Sequence, residues 1–260
     1  MKNKALLQIE QRNGIYVLTL DRSEKRNALN NQFIDEFIAF FQSPPADARV
    51  AVLKGEGACF CAGLDLLEML ATRDPNMILD QRRSKAWHRA FDLIQFGEIP
   101  VISVLHGAVV GGGLELAAST HIRVAERSTY FQLPEGQRGI FVGGSGSVRI
   151  PRIIGAGRMV EMMLTGRAYD AETGLQFGLA HYVVEEGQGV AQALVLAESV
   201  ASNAVMSNYA VINGIPRIND MAHSEGLFTE LAVTSMTGAD AEKRIAGFFA
   251  DRKAKGGNQG

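Results

Sequence analysis

Cysteine is almost absent from the chain: Cys59 and Cys61 are the only two, and a spacing of two residues is poorly suited to a disulfide between them. A reducing cytoplasm is the simplest inference. The same pair lacks companion ligands at zinc-site spacing, and the five histidines, 88, 106, 121, 181 and 223, are scattered, so metal chemistry has no motif. Charge of one sign is also lacking. The formal net charge is -2 and no long Lys/Arg run exists, which sets nucleic acid aside as a partner. Long apolar runs are missing as well, and the first one, after Lys4, is broken at once by Gln8, Glu10, Gln11 and Arg12, so it reads as neither a secretory signal nor a membrane span. What is present is ordinary for a globular protein: 260 residues, 47% hydrophobic and 21% charged, enough to bury a substantial core.

The patterning predicts an α/β protein. Residues 5–10 and 14–20 alternate around Asn13-Gly14 as a β-hairpin. Phe33, Ile34, Phe37, Ile38 and Phe41 recur at helical spacing over 31–42, stopped by Ser43-Pro44-Pro45, and 49–54 is a buried-strand run. A Gly-rich loop at 55–63 leads into Leu64–Leu70; a helix is predicted over 77–97, and a strand at 101–105 runs into a turn and a helix start at Gly113. Short strands are expected at 121–125, 129–131 and 181–184, a second Gly-rich stretch occupies 139–147, and helix dominates from 155 onward. The expected division is an α/β core over 1–200 and a helical region over 201–260, with a disordered tail from Lys253.

Gly111-Gly112-Gly113 before a helix is costly unless the backbone has a task there, because glycine loses most freedom on folding. Such a turn exposes N–H groups that could bind a developing oxyanion; taken alone, the glycines are better explained by a tight turn for close helix packing. It is no dinucleotide or phosphate loop, since neither G-x-G-x-x-G nor G-K-[ST] follows, and Gly143-Gly144-Ser145-Gly146-Ser147 is no nucleophile elbow. Glu115 falls in the first turn of the helix, where complementing the dipole would suffice, and Glu135 falls in a loop, where solvation would. Spacing alone does not pair them.

Taken together, Phe60-Cys61-Ala62-Gly63-Leu64-Asp65-Leu66, His106-Gly107 with Gly111-Gly112-Gly113-Leu114-Glu115-Leu116-Ala117, and Phe131-Gln132-Leu133-Pro134-Glu135 resemble the crotonase, or enoyl-CoA hydratase/isomerase, superfamily. Asp21-Arg22, Arg26-Asn27-Ala28-Leu29-Asn30, Leu164-Thr165-Gly166-Arg167, Gly178-Leu179-Ala180 and the segment Phe248 to Lys253 extend the resemblance over essentially the whole chain. It implies a ββα spiral core with a helical C-terminal trimerisation region, assembled as a homotrimer or dimer of trimers.

The resemblance implies an oxyanion hole from the backbone N–H groups of Leu64 and Gly112, which would polarise a thioester carbonyl. Glu115 and Glu135 match the hydratase glutamates: Glu115 would activate a water for C3 and Glu135 would exchange the proton at C2, one carboxylate ionised and the other protonated. Coenzyme A would lie along Lys25–Leu29 and Ala62–Leu67, with Lys25, Arg26, Ala28, Ala62, Asp65, Leu66 and Leu67 in contact and Lys25 and Arg26 on its phosphates. Leu67 departs from the lysine that many relatives carry there. Leu66, Leu67, Met69 and Leu70 would line the acyl cavity, suiting a fatty or aromatic group. No cofactor beyond the CoA of the substrate is expected, and no membrane partner. The reading is an enoyl-CoA hydratase of fatty acid metabolism, against an isomerase, a hydroxyacyl-CoA lyase or a non-catalytic acyl-CoA-binding protein.

Overall fold

The computed structural model describes residues 4–72 and 77–256. The chain opens with β1 (Leu7–Arg12) and β2 (Ile15–Leu20), antiparallel across Asn13 and Gly14, which both take positive φ (51° and 80°), the twist a two-residue hairpin requires. Helix α1 (Asn31–Phe41) starts because Asn30 Oδ1 accepts the Phe33 N–H at 3.0 Å, and it buries Phe33, Ile34, Phe37, Phe40 and Phe41. Each such side chain contributes about 1.5–3 kcal/mol of burial. Then follow β3 (Val50–Gly55), α2 (Leu66–Thr72) and α3 (Met77–Gln95).

From there the chain repeats a step between two sheets. Strand β4 (Val101–Leu105) continues through a turn into β5 (Ala108–Val110) and α4 (Gly112–Ala118); β6 (Ile122–Glu126) continues into β7 (Tyr130–Gln132) and a 3-10 turn, Glu135–Arg138. Next come α5 (Gly146–Ile154), α6 (Ala156–Thr165), the two-residue β8 (Tyr169–Asp170), α7 (Ala171–Phe177), β9 (Tyr182–Val184) and α8 (Gly189–Ser202). The large sheet has the order β1-β2-β3-β4-β6-β9, parallel except at β1, and the small sheet has β5-β7-β8. Cys61 bridges Val109 in parallel, so the segment after β3 joins the small sheet as well. This strand–strand–helix repetition is the expected ββα spiral.

The central strands are buried on both faces, as parallel strands usually are. Tyr16, Leu18, Leu20, Ala51, Leu53, Val101 and Leu105 face a core shared with α1, α3 and α4; Ile15, Val17, Val50, Val52, Ile102 and Val104 alternate with them and face Ala193 and Ala197 of α8. The two-sided core fixes the register of β2, β3 and β4, and with it the point where the chain leaves β4 for β5 and Gly111.

The chain divides into compact units at Ala201/Ser202. The second contains α9 (Val205–Ile218), α10 (His223–Ser235) and α11 (Gly238–Gly256). Helices α9 and α10 approach closely at Gly214, where a Cβ would lie 3.1 Å from Val233 Cγ1. Lys253 to Gly256, assigned by composition to a disordered tail, continue α11, because Ala241–Phe249 sets a helical frame that nothing before Gly256 breaks; 257–260 lie outside the described residues. Leu227, Phe228, Leu231, Ile245, Phe248 and Phe249 are all exposed. Among the described residues no single helix is long and apolar enough to cross a membrane.

Candidate active site

Three backbone segments meet where β5 ends. Asn27, fully buried, holds the first in place: its Nδ2 donates to the carbonyls of Glu56 (2.8 Å) and Cys59 (2.9 Å), and its Oδ1 accepts the Arg22 N–H. Leu29 and Leu64 form a parallel bridge in which Leu29 N donates to Gly63 O and Asp65 N to Leu29 O. In a parallel bridge the flanking residues supply those bonds, so the N–H of Leu64 itself points away from Leu29. Gly112 lies beside it: a Cβ built on Gly112 would lie 3.4 Å from Leu64 N, and one on Gly63 would lie 3.4 Å from Gly112 N. Gly112 is the first residue of α4 and its N–H has no intrahelical acceptor.

The three consecutive glycines have three different reasons. Gly111 takes φ 53°, and a Cβ there would strike Glu135 Oε1 at 2.6 Å. Gly113 packs on the Cys61 carbonyl, which a Cβ would meet at 2.4 Å. Gly112 alone has no steric need beyond the nearby Leu64 N–H. Close packing therefore accounts for two of the three glycines and leaves the middle one.

Leu64, Gly112, Glu115 and Glu135 line one cavity of about 380 Å³. Both carboxylates are buried, 4% and 7% exposed. Glu115 Oε1 accepts N–H groups from Gly144 (2.9 Å) and Gly146 (2.7 Å) in the second Gly-rich stretch. Burial pushes the Glu115 carboxyl above its ordinary range, opposed by the backbone N–H groups of Gly146, Gly144 and Gly143 and by Arg149. Glu135 is raised to about 7, first by burial and then by the negative charge of Glu115. Its Oε2 is buried with no hydrogen-bond partner among the described residues. The pair is thus differentiated: Glu115 rests on fixed N–H donors that work against its upward shift, whereas Glu135 keeps one buried oxygen unpartnered and has only its own backbone N–H and Arg138 to oppose its rise.

Of the expected coenzyme contacts, Lys25 and Arg26 are exposed on the 3-10 turn Ser23–Lys25 and its C-terminus, and the Arg26 carbonyl accepts the Ala62 N–H, which places Ala62 beside it. Arg26 Nη2 also reaches Tyr130 Oη at 3.2 Å. Ala28 is half-buried, its carbonyl bonded to Arg22 Nη1. Asp65 lines the cavity, but its carboxylate pairs with Arg22 at 2.8 Å and caps α2 by accepting from Leu67 N and Glu68 N. The expected acyl lining requires correction. Met69 lines the cavity, whereas Leu66, Leu67 and Leu70 do not. The cap at Asp65 sets the rotation of α2, turning Asp65, Glu68, Met69 and Thr72 inward and Leu67 and Leu70 out. The apolar wall comes instead from Leu29, Trp87, Ile140, Phe141 and Val142. The 139–147 glycines were the only sequence signal for this loop. The Cys61 thiol, pushed up to about 12 by burial, is inert packing.

The sequence profile of the enoyl-CoA hydratase/isomerase family matches residues 10–255. A protein from Rhodopseudomonas palustris CGA009, solved as a candidate enoyl-CoA hydratase, is 42% identical, covers 96% of each chain and superposes with a TM-score of 0.91. Enoyl-CoA hydratase AFT3-1 of Alternaria alternata is 30% identical over 93% of this chain and 82% of its own. The fatty acid oxidation complex subunit alpha of Shewanella loihica is 38% identical over 182 residues; the match spans 67% of this chain and only a quarter of that protein's length. By profile, relatives and fold, the chain belongs to the enoyl-CoA hydratase/isomerase family.

Proposed function

We propose that the chain hydrates the C2=C3 double bond of an enoyl-CoA thioester. The observation that carries the reading is the meeting of two buried, differently supported carboxylates with the backbone N–H groups of Leu64 and Gly112 on one cavity. The two N–H groups bind the thioester oxygen and stabilise the enolate; one such donor is worth about 3 kcal/mol of barrier. As the water oxygen bonds to C3, Glu115 takes one of its protons; Glu135 gives a proton to C2. One proton passing from Glu115 to Glu135 restores the pair, and the net change is the addition of one water. A carboxyl near 7 suits Glu135, since it holds a proton at neutral pH and yields it readily. Moving a double bond needs a single proton exchanger, whereas adding water needs a base for the water and an acid for C2, which favours hydration over isomerisation here.

The substrate's coenzyme runs past Arg26 and Ala62, with Lys25 and Arg26 on its phosphates, and Asp65 holds that wall in place through Arg22. No separate cofactor takes part, because the thioester itself acidifies C2. The exposed apolar side chains of α10 and α11 support assembly as a homotrimer or dimer of trimers through the second unit, in a cytoplasmic setting that keeps Cys59 and Cys61 reduced. Loss of the conjugated enoyl-thioester absorbance with crotonyl-CoA and with longer or aromatic enoyl-CoAs tests the reaction. No turnover of any of them would reject it. Solution mass tests the assembly, and a 28.1 kDa monomer would reject that part.

A further inference from the structure

Ser145 stands between the two N–H groups that hold Glu115. It is the N-cap of α5 and lies at φ 74°, ψ 16°, in the left-handed region that side-chain-bearing residues seldom adopt. That conformation has a consequence for its neighbours: consecutive N–H groups around a left-handed residue converge on one side of the chain and form a concave anion site. Gly144 N and Gly146 N accordingly reach the same oxygen, Glu115 Oε1. Gly146 admits the carboxylate, since a Cβ there would strike Glu115 Cγ at 2.6 Å, and Gly144 lets the chain pack on Phe91, whose Cε2 a Cβ would meet at 2.6 Å.

Ser145 is held by Arg149. The Arg149 side chain is 5% exposed; Nη1 donates to Ser145 Oγ, Nε to Gln95 Oε1 at 2.5 Å, and Nη2 to Asp92 Oδ1. The guanidinium therefore ties the first turn of α5 to α3 through Gln95 and Asp92 while holding Ser145, a fork that lysine does not reproduce. We propose that Arg149 and Ser145 are positioning residues for Glu115: Arg149 pins the Ser145 hydroxyl, the pinned residue stays left-handed, and both flanking N–H groups stay aimed at Glu115 Oε1. The inference rests on the proposed function only for the premise that Glu115 works as an anion. The charged groups around Glu115 are Glu135 across the cavity and Arg149 of α5; Asp92 of α3 and Arg152 act on Arg149, His88 of α3 bonds the Gly143 carbonyl, and Asp65, Glu68 and Arg83 line the same cavity.

The test compares wild type with Ser145→Ala, Ser145→Gly and Arg149→Lys, after circular dichroism shows each to be folded. Two readouts are taken: kcat and KM against pH with crotonyl-CoA, and infrared titration of the Glu115 carboxyl band, identified by its loss in Glu115→Gln. Ser145→Ala and Arg149→Lys are expected to move the Glu115 titration up by about one pH unit, which is about tenfold less anion below it. In both, kcat falls about tenfold on the acid side and KM changes little. Ser145→Gly, for which left-handed backbone costs nothing, is expected to stay close to wild type. An unmoved Glu115 titration in Ser145→Ala or Arg149→Lys overturns the proposal, and so does a Ser145→Gly titration displaced as far as that of Ser145→Ala. If wild type hydrates no enoyl-CoA, the functional reading falls while the infrared titration still decides the positioning role.

Discussion

Glutamine at position 135 keeps the shape of the side chain and removes its titration. In the folded protein the Glu135 carboxyl titrates at about 7, against an ordinary 4.5. Between those values the folded state binds more protons than the unfolded state, so this group's contribution to stability is full below 4.5 and is lost as pH rises through 7. That gap, at about 1.36 kcal/mol per pH unit, amounts to about 3 kcal/mol. Little of it is screened by solvent, because the residue is 7% exposed. Wild type alone does not isolate the effect, since His121 and His181, both lowered to about 4 chiefly by burial, lose stability as pH falls. The difference between Glu135→Gln and wild type isolates it. Urea unfolding of both, at equal protein concentration and from about pH 4 to about pH 8, should show the variant gaining on wild type by about 3 kcal/mol as pH rises. A difference that stays constant or shrinks with pH would refute the reasoning, whatever the activity of the variant.

Three further outcomes follow from the same geometry. Gly113→Ala should destabilise by about 1–3 kcal/mol, read by urea midpoint, because its Cβ would meet the Cys61 carbonyl at 2.4 Å. Gly112→Ala should leave the midpoint within about 0.5 kcal/mol and lower kcat with crotonyl-CoA about tenfold or more, its methyl crowding the place beside Leu64 N that the proposed reaction gives to the thioester oxygen. His121, whose Nδ1 accepts the Val101 N–H, should give stability that is full above about 6.5 and lost as pH falls toward 4; His121→Asn should flatten that loss of about 3 kcal/mol in the same urea series.

Most of the fold was legible because its signals are local. The Asn13-Gly14 hairpin, the Phe-rich face of α1 and the apolar runs of β3 and β4 each carry their own period, and the elements lie within a few residues of their expected places. Strand β8 was missed because two residues cannot show a period, and the start of α5 was hidden inside a glycine run that reads as loop. The site was legible only as a constellation. Glu115 and Glu135 are ordinary carboxylates by position, and what distinguishes them is non-local: N–H donors from Gly144 and Gly146 on one, burial with one oxygen unpartnered on the other. The acyl wall was misread for a related reason. Helical spacing showed that α2 has two faces, but the choice between them rests on Asp65, which caps α2 while anchored by Arg22 in a tertiary contact.

The central claim is that Glu115 and Glu135 act together on one thioester. Its most direct measurement is kcat for crotonyl-CoA hydration by wild type, Glu115→Gln and Glu135→Gln, each shown to be folded and to bind the substrate. General acid–base groups typically contribute 10²–10⁴-fold, so each variant should lose about a thousandfold, and the double variant should lose far less than the product of the two. Near wild-type rates in either single variant would contradict the account.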